Sequence, residues 1–120
     1  MPHIDTLLPL YPDTATRRTL LEQALDQTRS DLADTRHAIR ARNHAAARQY
    51  VHRAKGTVSF LGSGNALPAF DRLTEALRAR DEPGIEQAYA LVETALLELE
   101  AALRARLDAL PDAPPASRRG

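Results

Sequence analysis

Eight prolines punctuate this chain, and between them the apolar residues recur in steps of four and three. Pro2, Pro9 and Pro12 precede residue 13, Pro68 and Pro83 stand alone, and Pro111, Pro114 and Pro115 close the sequence. In the first long interval Leu21, Leu25, Thr28, Leu32, Thr35 and Ile39 fall on one stripe of a helix. In the last, Ile85, Tyr89, Val92, Leu96, Leu99, Leu103, Leu107 and Leu110 do the same. No run of alternating β-branched residues competes with this period, so the pattern predicts an all-α chain.

Local signals set the ends of the helices. Asp13 or Thr14 can cap the first long helix, and Asp81 the last, with Pro83 in its first turn. Asn43 is a cap for a helix running to about Leu61, with a stripe of Ala47, Val51, Ala54, Val58 and Leu61. Gly62-Ser-Gly-Asn65 breaks it, and Pro68 starts a short helix carrying Phe70, Leu73 and Leu77. Four amphipathic helices joined by short turns predict an antiparallel up-down four-helix bundle over residues 13–110. Residues 1–12 read as a lead-in or as a short extra helix around Ile4, Leu7 and Leu8. The Pro-, Ala- and Arg-rich stretch 111–120 reads as a disordered tail.

At 120 residues there is room for one small domain. The chain has no cysteine, which removes disulfides, thiolate metal sites and cysteine nucleophiles and fits a reducing compartment. No apolar run approaches a membrane span and no secretory signal leads the chain, so a cytoplasmic protein without membrane contact is expected. Five glycines and no tryptophan leave little material for phosphate-cradling loops, which argues against a complete ATP-binding kinase or a large cofactor enzyme.

The net charge is zero, yet residues 35–70 hold six bases and no acid: Arg36, Arg40, Arg42, Arg48, Arg53 and Lys55. Two readings follow. The bases could find their counter-charges on neighbouring helices, or they could form a docking surface for an acidic partner. Nucleic acid is the less suitable partner, given zero net charge and few aromatics. A metal site finds no support either. His44 and His52 lie eight residues apart, no Glu-x-x-His occurs, and His3 and His37 have no partners at ligand spacing.

His52 lies roughly 140° around the helix from the centre of its core stripe, and so faces outward. Lys55 follows at i+3 and Gly56 at i+4, while Ala45 and Ser59 on the same face are small. A helical side chain leans toward the N-terminus, so residue i+4 normally overhangs residue i. Glycine overhangs nothing, although inside a helix it costs about 0.5–1 kcal/mol relative to alanine. Lys55 is the only lysine among sixteen basic residues. Its compact, mobile ammonium suits a phosphoryl group near an imidazole.

The run Val51-His-Arg-Ala-Lys-Gly-Thr-Val-Ser-Phe-Leu-Gly62 resembles the signature of the histidine phosphotransfer domain, His-x-x-Lys-Gly-Ser/Ala followed by a hydrophobic spacing and Leu-Gly. The helix order around it is similar to that family's bundle. Val51 and Ala54 stand where the family usually has Ala and Leu, a swap that roughly conserves core volume. The resemblance implies a phosphorelay carrier. His52 would accept a phosphoryl group from a receiver-domain phospho-aspartate and pass it to another receiver. Lys55 would stabilise the phosphoryl oxygens, and Gly56 would give steric access.

Arg48, Gln49, Arg53, Ser59, Thr74 and Arg78 would meet the partner. Response-regulator receivers and a hybrid sensor histidine kinase are the implied partners. The chain would be a monomer with no ATP or metal site and no cofactor of its own, Mg²⁺ coming from the receiver. It could also be the terminal domain of a hybrid kinase. The competing expectation is a helical-bundle interaction module that carries no phosphoryl group.

Overall fold

A computed structural model describes residues 3–111. Among them there are five α-helices and no strand: α1 (Ile4–Leu7), α2 (Thr14–Arg40), α3 (His44–Leu61), α4 (Leu67–Ala79) and α5 (Glu82–Ala109). Single 3₁₀ turns follow α1 (Leu8–Leu10) and precede α4 (Gly64–Ala66). The expected disorder of 111–120 lies, apart from Pro111, outside the described residues.

The caps follow from side-chain chemistry. Asp13 accepts from the Thr16 amide, Asn43 from Ala46 and Asp81 from Gly84, each satisfying an amide that the first helical turn leaves unpaired. Gly84 serves that last cap sterically, since a Cβ there would strike the Asp81 carboxylate. Arg42 and Arg80 end the turns before α3 and α5 in the left-handed region, with φ of 56° and 53°. Glycine is the usual residue at such helix ends.

The four longer helices pack in cyclic order, α2 on α3, α3 on α4, α4 on α5 and α5 on α2. Their apolar stripes meet in one core. Every predicted core residue of α3 and α4 is buried: Ala47, Val51, Ala54, Val58 and Leu61, then Phe70, Leu73 and Leu77. In α2 and α5 the buried arc is wider than the predicted stripe. Ala38, Ala88 and Ala95 join it. Ile39, Tyr89 and Leu110, predicted inside, are only partly buried against the core. Tyr89 keeps its hydroxyl at the edge, where it donates to Glu93 at 3.0 Å. Leu110 lies just past the end of α5.

α1 sits at the C-terminal end of α3. Its lead-in amide, on His3, donates to the Gly62 carbonyl at 3.0 Å, and Asp5 receives two hydrogen bonds from the Arg106 guanidinium. That guanidinium holds the Asp5 carboxyl below the ordinary carboxylate range.

Candidate functional site

Helix α3 is the element on which the functional residues sit, and its neighbours divide its surface into three arcs. The core arc carries Val51, Ala54 and Val58. Roughly 100° and 140° from His52 on one side are Arg53 and Thr57, which meet α2. On the other side Lys55 meets α4. His52 stands on the outward arc between these flanks and is exposed.

On the α2 flank Gln27, Asp31, Arg53 and Thr57 are engaged with one another. Asp31 of α2 is completely buried, yet its carboxylate accepts three hydrogen bonds. They come from Gln27 Nε2 at 2.8 Å, Arg53 Nε at 2.6 Å and Thr57 Oγ1 at 2.7 Å. A buried carboxylate is tolerated when its lone pairs are used and a cation neutralises it. Arg53 also reaches Asp34 at 2.7 Å and lies over the Tyr50 ring, 5.1 Å from its centroid. Asp34 first, and then Asp31, raise the guanidinium's hold on its proton above the ordinary value. Arg53 is therefore turned toward α2 and engaged there, apart from the other residues expected to meet a partner.

On the α4 side the surface opens. Ala45, Arg48, Gln49 and His52 of α3 line one shallow depression with Thr74 and Arg78 of α4. Five of the residues singled out in the sequence thus come together across two helices. Thr74 turns its hydroxyl to its own helix, donating to the Phe70 carbonyl at 3.1 Å. Arg78 pairs with Glu75 one turn back, an exposed contact of little energetic weight. Arg48 makes no ion pair among the described residues. Ser59 is exposed two turns further along the same arc.

Gly56 is the sharpest feature. A Cβ built there would meet nothing within 4 Å. No helix packs against it, so close packing does not account for the glycine. What its missing side chain leaves clear is the space over His52.

Lys55 is not free. Its ammonium donates to Asp71 of α4 at 2.7 Å. Asp71 was not foreseen as a site residue, although it is the first acid after the acid-free run 35–70. Asp31 was missed as well. The signal was its step of three beyond Thr28, which put a carboxylate on the buried flank of the stripe.

The basic run therefore divides in two. Arg36, Arg42, Arg53 and Lys55 find partners on α2, α4 or α5, in Glu93, Glu82, Asp31 with Asp34, and Asp71. Arg40 and Arg48 are exposed and make no ion pair among the described residues, Arg48 beside the histidine.

Among the described residues no three His, Asp or Glu side chains gather to hold a metal ion, and no helix is long and apolar enough to cross a membrane. No protein-family model, curated protein or solved structure matches this chain.

Proposed function

We propose that this chain is a histidine phosphotransfer module, an antiparallel up-down four-helix bundle with α1 as an extra N-terminal helix. In this reading His52 carries the phosphoryl group. The observation that carries the proposal is Gly56. It sits mid-helix at a cost to stability, with empty space where its side chain would be, one turn above an exposed imidazole. The resemblance of the surrounding run to the phosphotransfer signature adds to this.

The chemistry needs a neutral imidazole nitrogen with room for in-line attack. A neutral imidazole carries one nitrogen with a free lone pair and one N–H. The Nε2 lone pair forms the N–P bond as the acyl O–P bond of the donor's aspartyl phosphate breaks. The aspartate leaves as a carboxylate and the proton on Nδ1 stays with the ring. Onward transfer is the same step reversed on a second receiver. The transition state is loose and carries its charge on the equatorial oxygens. The receiver supplies the acidic pocket and Mg²⁺, and Lys55 the cationic charge from this side. Arg48, Gln49, Thr74 and Arg78 form the floor against which the receiver's acidic rim would rest, and Arg48 contributes to association more than to chemistry.

The test is phosphoryl transfer from a panel of phosphorylated receiver domains. Acid-labile, base-stable label on the wild type and none on His52→Gln is the expected result. Equal labelling of the two chains would overturn the assignment. A chain that takes no label but captures a helical partner would be the interaction module instead.

A further inference from the structure

In the structure, Lys55 spends its charge on Asp71 rather than on the imidazole. Lys55 Nζ lies 2.7 Å from Asp71 Oδ1, and the two side chains are 39% and 64% exposed. The pair bridges α3 to α4, one turn along α3 from His52. Asp71 makes no other side-chain hydrogen bond among the described residues, so nothing but Lys55 fixes its carboxylate.

Taking the carrier reading as its basis, we propose that Asp71 is a positioning residue for the phosphoryl site, acting through Lys55. It holds the ammonium at the α3–α4 seam while His52 is bare and yields it when the phosphoryl group arrives. Two properties make this exchange workable. An exposed Lys–carboxylate pair is weak and breaks readily. A phosphoryl group brings close to two negative charges against the single charge of Asp71, and residues at i and i+3 are neighbours on a helix. Lysine suits the exchange better than arginine, because its ammonium is a point charge on a flexible stem with three donors that need no fixed plane. While paired, the ammonium is drawn to the α4 flank, clear of the opening over Gly56 through which a donor would reach the ring.

The consequence is competition: Asp71 withholds part of Lys55 from the phosphoryl group and so shortens the life of the phosphohistidine. The experiment uses the full chain, phosphorylated with phosphoramidate, a small donor that needs no receiver. The decay of phospho-His52 is followed by ³¹P NMR in wild type, Asp71→Asn, Lys55→Met and the double variant. Asp71→Asn is expected to lengthen the lifetime about two- to five-fold, the scale of one exposed ion pair. In the Lys55→Met background the same substitution is expected to change nothing, and Asp71→Glu to restore the wild-type value. An unchanged lifetime in Asp71→Asn overturns the proposal. So does an equal change with and without Lys55, which would mean that the carboxylate acts directly on the phosphoryl group. If wild-type His52 takes label neither from phosphoramidate nor from receivers, the carrier reading itself falls, and the role of Asp71 with it.

Discussion

The two flanks of α3 are built from the same kinds of residue and end in opposite states. Toward α2, Arg53 and Thr57 close on a fully buried Asp31, and every one of its contacts is to this chain. Toward α4 and outward, His52 and Arg48 face water, Gly56 leaves an opening, and Lys55 is held only by an exposed carboxylate. Charge satisfied inside the chain fixes the rotation of α3 about its axis. Charge left unsatisfied is available to something outside it. The closed flank is what gives the open one a defined direction, because turning α3 to bury His52 would pull Arg53 and Thr57 off Asp31.

Variants on each flank can break or sharpen this contrast. On the closed flank the largest effect is on stability. Asp31→Ala removes the acceptor of three hydrogen bonds, one of them from the Arg53 guanidinium. It is expected to cost about 2 kcal/mol, the scale of a hydrogen bond to a charged group. In a chain of this size that lowers the melting temperature by about 10 °C. Thermal unfolding followed by circular dichroism checks it, and a loss of under about 0.5 kcal/mol would show that the clasp does not hold α3.

On the open flank Gly56→Leu should act in the opposite sense. Leucine is the better helix former, so the chain should gain about 0.5–1 kcal/mol. Phosphoryl acceptance should slow by about ten-fold, because the new side chain leans over the imidazole and displaces the reacting groups. Unchanged transfer kinetics would remove this account of the glycine. The smallest effect belongs to Arg48→Ala. Melting should not change, while association with a receiver slows about two- to five-fold at low ionic strength, a difference that shrinks as salt is added. Stopped-flow association at two salt concentrations measures it, and a salt-independent change would assign Arg48 some role other than steering.

Much of this was legible in the sequence where one residue's chemistry decides the outcome. Asp13, Asn43 and Asp81 cap their helices because a short polar side chain ahead of an apolar repeat has few other uses. The stripes of α3 and α4 were readable in full, since in each the apolar residues form one narrow band. The wider arcs of α2 and α5 were not. Alanines 38, 88 and 95 are buried by the shape of their neighbours, which periodicity does not carry. Nor were the left-handed turns at Arg42 and Arg80, because arginine gives no sign of positive φ.

The candidate site shows the same division. Of the residues expected to meet a partner, Arg48, Gln49, Thr74 and Arg78 line one depression with His52, while Arg53 turns to α2 and Ser59 lies outside it. The partners of Arg53 and Lys55 were hidden. Asp31 and Asp71 lie 22 residues before the one and 16 after the other, and only the packing of α2 and α4 on α3 makes them neighbours.

The most direct measurement compares His52→Gln with Asp31→Ala, each assayed for both phosphoryl acceptance and thermal unfolding. If the flanks divide the work as described, His52→Gln loses acceptance and melts with the wild type. Asp31→Ala then melts early and still accepts phosphoryl groups at temperatures where it is folded. Acceptance surviving in His52→Gln would contradict the account outright.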